Sequence, residues 1–150
     1  MNQSVFDPAA YLNATTSDAY ERRPPLPAGD YISIIKEVKV QSWQKDGKSG
    51  IRFVVIHSVE VPPDIREDLG LDATLTVQDS LVAHLTEQGG LDWKPGRNSR
   101  LGNYRLATGL NTPGEPFSPS MLAGKVVKAR IGHEEFQGVL RERINGVTSV

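Results

Sequence analysis

Cysteine is absent from all 150 residues of the chain. A disulfide framework and a thiolate metal site are therefore excluded. Long apolar runs are also missing, since none approaches the ~20 residues that a membrane-spanning helix needs. The first eight residues lack a basic stretch followed by an apolar core. The sequence therefore predicts no secretory signal, and we expect a cytoplasmic protein that does not enter a membrane.

The usual signatures of catalysis are sparse. His57, His84 and His133 stand far apart, and none has a second ligand at metal-binding spacing. The tripeptide Gly47-Lys48-Ser49 resembles the end of a phosphate-binding P-loop, but Ser42 occupies the place of its first glycine. A nucleophile-elbow pattern is not present either. We therefore expect a protein that is not an enzyme and that carries no cofactor or metal.

The charge is small overall but unevenly distributed. A net charge of −1 and a pI of about 6.3 exclude a uniformly basic surface. Residues 59–72 are mainly acidic, whereas four cations and no acid lie between Asp92 and Glu115. These cations are Lys94, Arg97, Arg100 and Arg105. The pattern predicts one basic groove and one acidic back on the folded protein.

Ten prolines and fourteen glycines favour a loop-rich β protein over a helical bundle. Alternation of apolar and polar residues predicts strands at about 30–43, 51–61, 73–83, 127–131 and 139–144. A hairpin loop is expected at 133–138 and a turn at Asn145-Gly146. A short helix is expected to begin at Asn98 or Ser99 and to end at Gly109.

Residues 1–28 are predicted to form an extended arm ahead of a folded domain at 29–150. The segment Arg22–Pro27 contains three prolines and cannot be helical. We interpret it as a stiff lead-in to the first strand. A polyproline ligand for an SH3-like partner is the alternative.

Three strands, a helix and two strands follow one another in the order of an OB-fold. This fold is a five-stranded Greek-key barrel that binds oligonucleotides and oligosaccharides on one sheet face. The ligand face lies between the first hairpin loop and the last one. We therefore predict a mainly β protein with an OB-fold barrel and a short helix between the third and fourth strands.

The first predicted hairpin carries an amphipathic pattern. Ile32, Ile34, Val38 and Val40 alternate with polar and aromatic residues, so we expect the aliphatic set to be buried. The other face would then be open, with Tyr31, Ser33, Lys39, Gln41 and Trp43 on it. Aromatic rings between cations suit single-stranded nucleic acid, because bases stack on rings and phosphates attract cations. An amphipathic hairpin whose Trp43 only covers a sheet edge is the alternative.

The candidate nucleic-acid-binding residues fall into two groups. Two other aromatic residues, Trp93 and Tyr104, are assigned to packing and belong to neither group. Phe136 is a candidate, although it stands beside two glutamates that would repel phosphate. The candidates for base stacking are Tyr31, Trp43 and Phe136. The candidates for phosphate neutralisation are Lys39, Lys45, Lys48, Arg52, Arg97, Arg100, Lys128 and Arg130.

Several stretches of the chain resemble bacteriophage single-stranded DNA-binding proteins. They are Leu26-Pro27-Ala28-Gly29-Asp30-Tyr31, Asn98-x-x-Leu101-Gly102-x-x-Arg105, Ala107-x-Gly109-x-Asn111-x-Pro113-Gly114-x-Pro116-Phe117-Ser118, Leu122-x-Gly124 and Arg130-Ile131-Gly132-His133. The resemblance implies a small OB-fold protein that coats DNA without sequence preference in phage replication and recombination. It identifies no individual DNA contact, because the matched positions are mainly glycines, prolines and apolar residues. Many of those proteins end in an acidic tail, and this sequence ends in Thr-Ser-Val instead.

We therefore expect a sequence-nonspecific single-stranded DNA-binding protein. Its expected partners are single-stranded DNA and, through the resemblance, replication or recombination proteins in the host cytoplasm. An exposed edge strand could also pair with a second copy of the chain. The alternative function is a structural or adaptor module that binds protein through the same sheet face.

Overall fold

A computed structural model of the protein describes residues 6–150. The described chain is mainly β, as the sequence predicts. It contains five strands, β1 (Gly29–Lys45), β2 (Lys48–Glu60), β3 (Thr74–Val82), β4 (Val126–Phe136) and β5 (Val139–Thr148). It also contains three helices, α1 (Pro8–Asn13), α2 (Pro63–Leu69) and α3 (Ser99–Thr108), and a 3-10 helix at Pro119–Leu122. These helices of the described chain are too short or too polar to cross a membrane.

The strands form one antiparallel sheet in the order β3-β2-β1-β4-β5. The long strand β1 lies at its centre, because its first part (29–34) pairs with β4 and most of its length (33–45) pairs with β2. The edge strands β3 and β5 do not continue the ladder, so the sheet is not closed. A side chain from α3 crosses this seam, since the Arg100 guanidinium donates to the carbonyls of Ser80 in β3 and Ile144 in β5, at 3.3 and 3.2 Å.

The core lies between the inner face of the curved sheet and α3. Helix α3 begins after Asn98 and ends at Gly109 in the left-handed region, as predicted. It buries Leu101 and Tyr104 against the sheet. Burial of aliphatic and aromatic side chains at roughly 25 cal/mol per Å² supplies most of the stabilisation of such a fold. The largest fully buried aliphatic side chains are Leu26, Ile35, Leu101, Leu122, Ile131 and Ile144.

A β-bulge at Lys36 overturns the predicted faces of the first part of β1, residues 31–35. The register shifts between Ile35 and Glu37, so that Lys36 is an extra residue. Before the bulge Tyr31, Ser33 and Ile35 point inward and are buried. Ile34, predicted to be buried, is exposed. The prediction was wrong because strict alternation was carried through a bulge, which moves every later side chain to the other face.

The last two strands are longer than predicted. β4 runs on to Phe136, so the connection to β5 is only Gln137-Gly138, rather than a loop over 133–138. Asn145-Gly146 is not a turn. The register shifts there, which makes Asn145 a bulge residue within β5. A Cβ at Gly132 of β4 would overlap the side-chain amide of Asn145, so a larger residue there would force that amide to move.

The arm is extended except for α1, whose first amide is capped by Asp7 at 3.1 Å. Leu26 anchors its far end in the core. There the Leu26 amide donates to Glu142 Oε1 at 2.9 Å, and its carbonyl accepts from His133 Nε2 at 2.6 Å. Residues 1–5 of the predicted arm lie outside the described part of the chain.

Candidate nucleic-acid interface

A polar groove of about 670 Å³ runs along the seam between β3 and β5. On one wall, Thr76, Gln78 and Ser80 alternate with the inward-pointing Val77, Asp79 and Leu81 of β3. On the other wall stand the side chains of β5 and the end of β4. The residues that carry the charge in this groove are Arg52, Asp79, Arg100, Glu134, Arg141, Glu142 and Arg143.

Some of these charges neutralise each other. Arg100 binds Asp79 Oδ1 at 2.5 Å, and the carboxylate is almost fully buried. Arg141 binds Glu134 at 2.8 Å with both side chains partly exposed. Because charges in such pairs are already compensated, they contribute less to the attraction of an anion than a lone cation does.

Arg52 and Arg143 are not compensated in this way. Neither has an acidic partner within 4 Å among residues 6–150. The Nε of Arg52 is buried without a hydrogen-bond partner in the same part of the chain. A buried donor left unpaired costs roughly 1–3 kcal/mol. These two guanidinium groups are therefore the cations of the groove that are best able to bind a phosphate.

The groove borders the outer face of the first hairpin at Arg52. Arg52 pairs across the ladder with Gln41 of β1 and with Val82 of β3. Because residues two apart on a strand share a face, Lys39 and Trp43 lie on the same outer face as Arg52. The structure thus brings Lys39, Trp43 and Arg52 together, as predicted. Lys45 and Lys48 are exposed at the tip of this hairpin.

Trp43 is half-buried and lies over Gly50 of the neighbouring strand. A Cβ at Gly50 would be 2.8 Å from the indole ring, so this close approach needs a glycine. The indole N–H donates to the Ile51 carbonyl at 3.3 Å. Trp43 therefore covers β2 with one side of its ring and is fixed in orientation.

Phe136 stands at the end of β4, beside the groove. Its ring is about half exposed, and the Arg141 guanidinium lies 4.3 Å from the ring centroid. Arg141 pairs with Glu134, which reduces the repulsion that this glutamate exerts on a phosphate. Phe136 and Trp43 are thus partly exposed rings on the two predicted hairpins.

Tyr31 does not lie on an open face. It is 7% exposed, and its hydroxyl donates to the Pro27 carbonyl at 2.6 Å. Burial, and then the negative charge of Asp64, raises the pKa of Tyr31. The ring packs in the core and offers no surface for a base, so the predicted position of this stacking residue was wrong.

Lys128 and Arg130 point away from the core, as predicted, but they are not among the residues that line the groove. Lys128 pairs with Ile32 of β1. Arg52 pairs with Gln41, which is nine positions further along the same strand. At ~3.3 Å per residue this is roughly 30 Å along the strand. Arg130 also has an acidic neighbour, since its Nε lies 3.3 Å from Asp30. The structure therefore separates both residues from the cations of the first hairpin. Arg130 lies closer to the β5 wall of the groove, since Gly132, two residues further along β4, pairs with Arg143.

The cation-rich segment 93–114 does not form a groove of its own. Arg97 is exposed ahead of α3, 3.9 Å from Asp92. Arg105 lies between the rings of Trp93 and Phe117, 4.7 and 4.5 Å from their centroids. Trp93 is therefore a packing residue, although its ring is partly exposed. Only Arg100 of this segment reaches the groove.

A chain of buried polar groups underlies the groove. Tyr104 donates to Asp79 Oδ2 at 2.7 Å, so its oxygen accepts from His57 Nε2, also at 2.7 Å. His57 Nδ1 then accepts from the Ser33 hydroxyl at 2.8 Å. The contact with Tyr104 places a proton on Nε2, and in the neutral imidazole Nδ1 is then the acceptor. Burial lowers the pKa of His57 to about 4, which agrees with the neutral form.

Ser33 and His57 are the one serine–histidine pair in hydrogen-bond contact within residues 6–150, and both are fully buried. Burial, and then the charge and hydrogen bond of Asp79, raises the pKa of Tyr104 far above its ordinary value. The pair therefore serves to satisfy polar groups inside the core, and its hydroxyl is closed to a substrate from solvent.

The sequence reasoning missed the second wall of the groove. Arg141 and Arg143 are two apart on β5, and this spacing alone places both on one face of a strand. Their position opposite β3 depends on how the sheet curves, which the spacing does not reveal. The chain matches no protein-family model, and no curated protein matches it.

Proposed function

We propose that the protein binds single-stranded DNA without sequence preference and without catalysis, in the groove between β3 and β5. The observation that carries this proposal is the pair of uncompensated cations, Arg52 and Arg143, on the two sides of one polar groove. A phosphate between them would neutralise the charge of both guanidinium groups.

The surroundings of the two arginines suit a strand of nucleotides. Hydroxyl and amide groups of β3 can contact sugars and base edges. Lys39 lies on the same face, but its charge is partly compensated because its Nζ lies 3.6 Å from Glu37. Trp43 and Phe136 offer ring surface for bases, and each stacked base contributes roughly 1–3 kcal/mol. Stacking and phosphate neutralisation do not distinguish bases, so little sequence preference is expected.

We also propose that the sheet is an OB-fold barrel with a partly open seam. The strand order, the helix between β3 and β4, and the two bulges that bend β1 and β5 support this assignment. Arg100 would then replace part of the missing ladder between β3 and β5. The resemblance to phage single-stranded DNA-binding proteins adds replication or recombination as the setting.

The test is binding of a fluorescently labelled dT oligonucleotide, followed by anisotropy at several salt concentrations. We expect tight binding at low salt, and log K falling with log salt by about 0.7 for each phosphate neutralised. A duplex of the same length should compete poorly. An absence of binding at low salt would overturn the proposal and would favour the protein-binding adaptor instead.

A further inference from the structure

A second cleft, of about 450 Å³, lies between the arm and the β4–β5 hairpin. Tyr20, Arg22 and Arg23 line it from the arm, and residues 138–142 line it from the hairpin. Glu21, between the first two, is not one of its lining residues. The cleft therefore has an aromatic and cationic wall facing a strand.

The arm is held firmly where it forms this cleft. Arg23 donates to Glu142 at 2.7 Å, and the Leu26 amide donates to the same carboxylate oxygen at 2.9 Å. Burial disfavours the charged form of Glu142, but these hydrogen bonds outweigh it and lower its pKa. Leu26 is fully buried, and the prolines beside it stiffen the backbone. The cleft thus exists before any ligand binds.

Two side chains at the cleft are available to a ligand. Tyr20 is 87% exposed, and its ring stacks on no other aromatic ring of the described chain. Arg22 makes neither an ion pair nor a side-chain hydrogen bond with another described residue. An exposed aromatic ring beside a free guanidinium is the combination that binds one nucleotide of a single strand.

The cleft and the groove adjoin each other, because they share two lining residues. Arg141 and Glu142 border both of them, so a strand leaving the groove over Arg141 arrives at Tyr20 and Arg22. The carboxylate of Glu142 is compensated by Arg23, which removes a repulsive charge from this crossing. The chemistry on both sides of Arg141 therefore suits one continuous anionic chain.

We infer that the cleft is a further nucleotide subsite, in which Tyr20 stacks on a base and Arg22 neutralises the adjoining phosphate. The inference rests on the proposed function and extends it, since it adds the arm to the DNA path. A polyproline ligand at 22–27 is less compatible with the structure, because a partner would have to pull Leu26 out of the core.

The test compares Tyr20→Ala and Arg22→Gln with the wild-type protein on dT oligonucleotides of increasing length. Short oligonucleotides that fill only the groove should bind all three proteins equally. On long ones, Tyr20→Ala should weaken binding about fivefold or more. Arg22→Gln should lower the salt dependence of log K by about 0.7.

Tyr11→Ala is the matched control, since Tyr11 is a similarly exposed tyrosine of the arm that does not line the cleft. It should bind like wild type at every length. Equal losses for Tyr20→Ala on short and long oligonucleotides, or no loss on either, would overturn the subsite and leave the groove standing. Wild-type protein that binds no oligonucleotide would overturn both proposals.

Discussion

Two polar clusters lie back to back at the seam between β3 and β5, and they differ in how completely their hydrogen bonds are made. In the inner cluster, Ser33, His57, Tyr104 and Asp79 form an unbroken chain of contacts between 2.7 and 2.8 Å. In the outer cluster, the groove, Arg52 and Arg143 have no acidic partner among the described residues. Arg100 belongs to both clusters, since it binds Asp79 and borders the groove.

The difference separates groups that maintain the fold from groups that are available for binding. A buried polar group must be paired, because leaving it unpaired costs more than the pair contributes. An exposed cation such as Arg143 needs no partner and can exchange water for phosphate. Arg52 is an exception in the outer cluster, since its Nε is buried and unpaired. Substitutions in the inner cluster should therefore change stability, whereas substitutions in the groove should change binding.

The largest effect is expected at Asp79. Asp79→Ala removes the acceptor of the buried Tyr104 hydroxyl and the partner of Arg100, which should lower the free energy of unfolding by about 2–4 kcal/mol. Chemical denaturation measures this loss. Glu134→Ala, which breaks the exposed pair with Arg141, is the control and should cost less than ~1 kcal/mol. Similar costs for both variants would remove the distinction between the two clusters.

A comparable effect is expected from pH through His57. The folded pKa of about 4 lies below the ordinary value of 6.5, so the unfolded chain binds a proton first as the pH falls. Stability should therefore fall from pH 6.5 towards pH 4, by roughly 3 kcal/mol in total. Unfolding of wild type and His57→Gln across this range isolates the histidine. If the free energy of unfolding changed with pH in the same way in the wild-type protein and in His57→Gln, the buried neutral imidazole would be contradicted.

The smallest effect on stability is expected at Gly50. In Gly50→Ala the new methyl group must displace the Trp43 indole. This displacement should lower the free energy of unfolding by about 1 kcal/mol and change the tryptophan fluorescence emission. DNA binding should weaken if Trp43 presents its free side to a base. Ser49→Ala, at an exposed neighbour, is the matched control. Unchanged emission in Gly50→Ala would show that the indole does not lie over this glycine.

Much of the fold can be predicted from local patterns. Five strands and a helix from Asn98 to Gly109 follow from alternation, glycine positions and capping chemistry. The faces of β1 cannot be predicted in this way, because one extra residue at Lys36 inverts them. Ser33 is inside for a reason that alternation does not reveal, since its partner His57 is 24 residues away.

The candidate site is less predictable than the fold. Lys39, Trp43 and Arg52 share a face because they lie on neighbouring strands with local pairing. Arg143 joins them only because the curvature of the whole sheet brings β5 opposite β3. Lys128 has equally suitable chemistry but lies elsewhere, since its position depends on the same curvature. Residue type therefore identifies candidates, and long-range geometry selects among them.

The most direct test of the account compares two substitutions that each remove one positive charge. Arg143→Gln lies in the groove, whereas Lys128→Gln lies further along the outer face of β4, where Lys128 pairs with Thr148 and lines no part of the groove. We expect Arg143→Gln to weaken dT oligonucleotide binding several-fold and to lower the salt dependence of log K by about 0.7, with stability unchanged. Lys128→Gln should bind like wild type. Equal losses in both variants, or a loss only in Lys128→Gln, would contradict a DNA path through the groove.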